Sequence, residues 1–269
     1  MMLRFSPLDT ARFGLCVHRA TLDRVDVDAL VAEIERERID VAILRVPAPA
    51  TGVLDELARR GLGPITADTL VRYEIDLPRP ATDPQRADVT LRPAVQSDAL
   101  LLDRMTRSIF AGYVSHYHAN PLFPPDKILD GYAEWAVAHL GAEGGPAAWL
   151  VESGGETVGF SCYQIERPSG LAVGVLNGVV PSVRGRGVYT GMLSAMLAAF
   201  ESMGLRRFAI ATQAHNATVQ RIWARCGLSL QGEYTTIHLN ALRGRSAASD
   251  AIESGRPAAA EDRRGRTSV

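Results

Sequence analysis

VLNGVVPSVRGRGVYTGML, residues 175–193, decides how this chain reads. An apolar, buried-type strand ends at Val180-Pro181. A turn, Arg184-Gly185-Arg186-Gly187, follows, and helical spacing begins at once. Such a strand–turn–helix gathers backbone N–H groups and a helix N-terminus around one concavity. The orphan amides point outward, the helix dipole favours negative charge, and glycine permits close approach. Arg184 and Arg186 add charge-assisted contacts. A diphosphate suits such a site. Taken alone, a short Gly turn reads better as a plain connection with solvated arginines, because such motifs are common. The Walker pattern GxxxxGK and the dinucleotide fingerprint GxGxxG are both absent.

Outward from that stretch, the pattern alternates strands and helices. Downstream, 206–213 reads as a strand, 216–227 as a helix opened by Asn216, and 232–240 as a last strand. The helix over 187–204 sets Val188, Met192, Ala195, Ala199 and Met203 on one stripe, with Gly204 at its C-terminal cap. Upstream, 89–94 reads as a strand and 97–110 as a helix with a serine N-cap. A second helix spans 131–141 with Gly141 at its end, and 147–166 is a hairpin across Ser153-Gly154-Gly155. Further upstream, 12–22, 40–48 and 69–77 read as strands, and 25–39 and 54–61 as helices. PRPATDPQRAD (78–88) has three prolines and no apolar period, so it reads as a linker. Residues 243–269 carry six arginines against four acids and no apolar period, the composition of a disordered tail. The domains expected are a small N-terminal α/β unit over 1–77 and a larger unit over 89–242.

The order from Val89 to Asn240, about 150 residues, resembles the core of the GNAT superfamily of N-acyltransferases. Arg184 to Tyr189 is similar to that family's acyl-CoA loop, and Asn216 through Leu228 to its Asn-to-Gly segment. The resemblance implies an α/β fold of the α+β type: a mixed, mostly antiparallel sheet with helices on both faces. It implies acetyl-CoA as acyl donor, and no metal. The diphosphate would lie on the amides of Arg184, Gly185, Arg186, Gly187, Val188 and Tyr189. The pantetheine arm would pair with the backbone of Gly178, Val179 and Val180, and Asn216 would border it. The Val179 amide would stabilise the developing oxyanion.

Two residues depart from the family pattern. Tyr189 stands where a Gly or Ala is usual, and Trp223 where a tyrosine often protonates the leaving thiolate. Indole N–H cannot supply that proton. On the acceptor side, His116 and His118 are the candidate bases, because imidazole takes a proton near neutral pH. The alternative is that they cap backbone or face water. Segments 68–75, 116–121 and 132–135 resemble two-part sugar acyltransferases related to TDP-fucosamine acetyltransferase. That resemblance implies a nucleotide-linked amino sugar as acceptor, with Arg92, Arg104 and Arg107 near the right segment. Trp135 and Trp149 read as core or pocket wall, and Cys226 as a buried structural thiol.

The chain has 269 residues, 29 Lys+Arg against 30 Asp+Glu, and a net charge of -1, so a whole-chain grip on nucleic acid or anionic membrane is disfavoured. Three scattered cysteines form no CxxC pair, which removes a disulfide framework and a zinc ribbon. With no long apolar run and no apolar leader core, a cytoplasmic protein is expected. The partners expected are a small-molecule amine and, admissibly, a second copy of the chain. The competing reading is a non-catalytic acyl-CoA-binding sensor on the same fold.

Overall fold

The computed structural model describes residues 3–78, 88–140 and 147–241. Most of the expected linker, Gly141 and the expected tail lie outside the described residues. In chain order the first elements are β1 (Arg4–Phe5), α1 (Pro7–Phe13), β2 (Val17–Thr21), α2 (Val27–Arg36), β3 (Val41–Pro47), α3 (Thr51–Arg59) and β4 (Ile65–Asp76). Next come β5 (Thr90–Pro93), α4 (Ala99–Phe110), α5 (Pro125–Val137), β6 (Ala147–Ser153) and β7 (Glu156–Glu166). The last are β8 (Leu171–Val179), α6 (Val188–Ser202), β9 (Arg207–Gln213), α7 (Ala217–Arg225) and β10 (Ser229–Asn240).

The strands form one ten-stranded sheet in the order β1-β2-β3-β10-β4-β9-β8-β7-β6-β5. Among the described residues only β2–β3 and β8–β9 run parallel. The last strand enters between β3 and β4, so the N-terminal elements and the C-terminal strand share one ladder. Alternation along the strands sorts side chains onto two faces. Trp149, Val151, Phe208 and Ile210 pack with Met192, Leu197 and Phe200 of α6. Ala42, Leu44 and Ile237 pack with Leu30 and Ile34 of α2 on the same face. Ala148, Leu150 and Phe160 point the other way, onto α4, α5 and Phe13 of α1. Burying each such large side chain contributes about 1.5–3 kcal/mol.

Several expected elements move. Residues 12–22 are not one strand. Pro7 opens α1, and Gly14, in the left-handed region at φ 68, caps it by donating its N–H to Thr10 O. The strand starts only at Val17. Ser97 does not cap α4; it lies in a 3-10 turn, and the Asp98 carboxylate instead takes the Val95 N–H at 2.8 Å and the Arg92 guanidinium. On α6 the buried stripe runs through Met192, Leu193, Met196, Leu197 and Phe200, while Met203 is 47% exposed. The helix is apolar almost all round, so periodicity could not pick its face. The hairpin turn is the pair Gly154-Gly155, at φ 60 and 81, with Ser153 opposite Glu156.

Candidate functional site

The parallel register of β8 and β9 runs from Leu171–Arg207 to Gly174–Ile210 and stops there. Both strands continue, to Val179 and Gln213. The register of β8 on β7 shifts between Cys162 and Tyr163, opposite Leu176 and Gly174. A bulge bends its strand and raises its twist, which turns β8 away from β9. The gap opens a cleft of about 2200 Å³ through the sheet. Tyr189, Ile222 and Trp223 line it on the α6–α7 side, and Tyr113, His116 and Tyr132 on the α4–α5 side.

Backbone alternation decides which amides face the gap. The Val180 N–H donates to Val158 O at 2.8 Å, and the Val180 carbonyl accepts from Val183 at 3.2 Å. Val180 therefore has no backbone group left for a ligand strand. Gly178 shares that orientation, towards β7, and the amides of Val179 and Asn177 point into the gap. Gly178 has a packing reason as well, since a Cβ there would stand 2.5 Å from Ile109 Cγ2 of α4.

The turn before α6 is left-handed at Gly185 (φ 76) and Gly187 (φ 77). Arg184 and Arg186 donate their N–H groups to Pro181 and Val183. The amides of Gly185 and Gly187 donate to no backbone carbonyl among the described residues, and those of Val188 and Tyr189 fall in the first helical turn. These make the anion-seeking surface. Arg184 Nη2 donates to Ile109 O at 2.9 Å, which ties the turn to the end of α4. The Arg186 side chain is exposed.

Tyr189 does more than narrow the turn. Its hydroxyl accepts from Trp223 Nε1 at 3.1 Å and donates to Asn177 Oδ1 at 2.7 Å. Position 223 thus carries no acid; its indole N–H holds the Tyr189 hydroxyl in place. Burial pushes the Tyr189 phenol up, so it stays protonated. Asn216 lines the cleft as the N-cap of α7, and its Nδ2 donates to Thr212 Oγ1 at 3.0 Å.

His116 and His118 part company. His118 is exposed, off the cleft wall, and its Nδ1 accepts the Ser115 N–H at 3.1 Å, so it caps a turn. His116 lines the cleft, and its Nδ1 meets His238 Nε2 at 2.9 Å. A chain of amides fixes the protons here. Asn120 Oδ1 receives Leu122 N–H, so Asn120 Nδ2 donates to His238 Nδ1 at 3.2 Å. His238 then carries its proton on Nε2 and gives it to His116 Nδ1, which leaves the His116 proton on Nε2. Burial, then Arg19 and His238, hold His116 well below the usual imidazole range. Burial and Arg19 bring His238 down to about 3. In this arrangement His116 is neutral, with its proton on Nε2.

None of the three arginines expected beside the acceptor lines the cleft. Arg92 pairs with Asp98 and Glu152, and Arg107 with Asp103 and Asp130. Trp149 is core, whereas Trp135 is 36% exposed and lines the cleft. Arg184, Arg186 and Arg225 line it, and so do two further cations, Arg19 of β2 and Arg45 of β3, which sequence reasoning missed. A signal existed: Arg45 is the one charge inside the apolar run VAILRVP. Among the described residues no group of three or more His, Cys, Asp or Glu could hold a metal, and no helix is long and apolar enough to cross a membrane.

Residues 88–229, more than half the chain, match the acetyltransferase (GNAT) domain family. Similar solved structures include a GCN5-related N-acetyltransferase from Sphaerobacter thermophilus, at 15% identity and TM-score 0.57, covering 88% of this chain and 74% of that one. Another, from Kribbella flavida, stands at 14% and 0.53, covering 82% and 81%. A functionally unknown conserved protein from Staphylococcus epidermidis stands at 12% and 0.53, covering 83% of each. At these identities the likeness is one of fold. No curated protein matches the chain in sequence.

Proposed function

The chain belongs to the acetyltransferase (GNAT) family, and from that premise we propose that it transfers an acyl group from acetyl-CoA to the amino group of a small molecule. One observation carries this reading: the splay of β8 from β9 leaves the Val179 amide facing a cleft that begins at the glycine turn of α6. The residues fit a CoA thioester. The amides of Gly185, Gly187, Val188 and Tyr189 would hold the diphosphate, with Arg184 bracing the turn. The free edge of β8, at Asn177 and Val179, would pair with an extended arm. When bound, acetyl-CoA supplies an activated acyl group as its thioester.

The amine nitrogen forms a bond to the acyl carbon as the carbon–sulfur bond breaks, and the electron pair leaves on sulfur. The Val179 N–H donates to the acyl oxygen as it gains charge. The Tyr189 hydroxyl, aligned by Trp223, can turn its O–H from Asn177 to the departing sulfur as a hydrogen-bond donor, and the thiolate takes its proton from water. The amine's own proton passes to water, since His116 is a donor already. His116, on the cleft wall, can offer its Nε2–H to the acceptor. Holding both reactants in one cleft supplies much of the rate.

Release of free thiol from acetyl-CoA, followed across a panel of small amines, tests this. Amine-dependent release supports transfer. Tight binding of acetyl-CoA with no release on any amine would mean a non-catalytic acyl-CoA sensor on the same fold.

A further inference from the structure

Three strands contribute one transverse row of side chains to the α4–α5 face of the sheet. Thr236 of β10 is the register partner of Arg45 on β3 and of Asp68 on β4. Cross-strand partners point to the same face. Four polar atoms in that row are buried without a hydrogen-bond partner: Arg45 Nε, Thr236 Oγ1 and both carboxylate oxygens of Asp68. Orphaned buried polar atoms are rare in folded proteins, and three adjacent residues orphaned together are rarer still. Leu70, the next residue on the Asp68 face of β4, and Arg45 itself line the cleft. Asp68 acts electrostatically on Tyr113 and Tyr132, which also line it.

We propose that this row is the acceptor subsite, and that it takes an amino acid, with the ammonium group on Asp68 and the carboxylate on Arg45. The proposal rests on the acyltransferase reading and names its substrate class. The order of the strands sets the polarity. β4 borders β9 and so lies beside the gap, whereas β3 lies two strands further out, about 10 Å away. The nitrogen therefore sits next to the thioester and the carboxylate away from it. Thr236, between them, can donate to the carboxylate. The charges select a zwitterion. A neutral amine would leave Arg45 with only the electrostatic pull of Asp68 from two strands away, and a diphosphate would face the Asp68 carboxylate. An unpaired buried charge costs several kcal/mol, so a ligand that pairs both ends gains selectivity over one that pairs one. Arg19 is not available for this, because Asp9 at 2.6 Å and the Tyr117 hydroxyl already hold it.

The experiment compares matched acceptors on the full-length protein: α-amino acids, β-alanine and 4-aminobutyrate, each as the free acid and as its carboxamide. The account expects kcat/KM for the best free acid to exceed that of its amide at least thirtyfold, about 2 kcal/mol. Arg45→Gln should remove that preference by raising KM for the acid far more than KM for its amide, so that the two acceptors converge. Asp68→Asn should weaken acid and amide together. Calorimetric binding of the best acid, with CoA present, should be lost in Arg45→Gln. Should either variant fail to fold, the acid-to-amide ratio of the unaltered protein decides alone. Amides turned over as well as acids would overturn the proposal and leave acyl transfer standing. The absence of thiol release with every amine tried would end both.

Discussion

The cleft has two ends of different construction. The α6 end is made by residues close together in sequence, Asn177 to Tyr189, and lies within the segment matched by the family. The opposite end is lined by Arg45, with Asp68 and Thr236 in the same cross-strand row; the three are scattered over the chain and all lie outside that segment. The first end relies on backbone: free amides, left-handed glycines and a strand edge. The second relies on side chains, buried with their polar atoms unsatisfied. A backbone site can hold the same diphosphate in many relatives with changing side chains, while a side-chain site sets what one protein accepts. The cofactor end thus carries the family chemistry, and we propose that the row carries the specificity.

The sharpest way to break this comparison is to remove the row's scaffold. We propose that 1–77 and 89–241 fold as one cooperative unit, because β4 pairs with both β9 and β10. Expression of the chain without residues 1–77 should give unfolded or insoluble protein, read by circular dichroism and chemical denaturation. A folded, active fragment would show that the two ends are separable.

Next in size is the cofactor end. Gly187→Asp forces a side chain into a left-handed position at φ 77 and adds a negative charge where the diphosphate belongs. Calorimetry should show CoA affinity falling on the order of a hundredfold, about 2.7 kcal/mol. Unchanged affinity would move the site elsewhere.

Tyr189→Phe keeps the ring and removes the hydroxyl between Trp223 and Asn177. We expect kcat to fall about tenfold to a hundredfold, with KM for acetyl-CoA nearly unchanged. The thiol leaves well enough to keep the loss at the low end. Because burial raises the phenol's pKa, the pH–rate profile of the unaltered protein should rise and level off without an alkaline fall. A loss no larger than twofold would return Tyr189 to a purely structural part.

The smallest effect concerns the histidine pair, His116 and His238. His238 is neutral when folded, with its pKa near 3 against 6.5 unfolded. The unfolded chain therefore binds the extra proton below pH 6.5. Stability is full above that pH and falls as pH drops towards 3. Between pH 6.5 and 5 the loss is on the order of 1–2 kcal/mol. Thermal denaturation should show His238→Gln, which keeps a donor, losing less over that interval than the unaltered protein. An equal loss in both would remove the histidine pair as its cause.

What the amino-acid order disclosed follows the same division. The turn at Arg184–Gly187 was legible because its parts are adjacent and glycine has few other uses there. The element order from Thr90 to Asn240 was legible for a related reason: each strand and helix announces itself within about ten residues. The row Arg45–Thr236–Asp68 was not, because only the register of β3, β10 and β4 brings it together. His118 looked as reactive as His116, since residue type alone does not say which ring caps a turn and which enters a proton chain. Tyr189 read as a departure from the family's Gly or Ala, with no part for its hydroxyl. Its role depends on Trp223, on a different helix, pointing an N–H at it.

Backbone amide exchange by mass spectrometry, with and without acetyl-CoA, addresses the central claim most directly. The account places the thioester arm along the free edge of β8 and the diphosphate on the α6 turn. It predicts that acetyl-CoA slows exchange in peptides covering Asn177–Val179 and Gly185–Tyr189, with much smaller changes in peptides from β5 and β6 at the far edge of the sheet. Protection confined to other segments, or none at saturating acetyl-CoA, would contradict it.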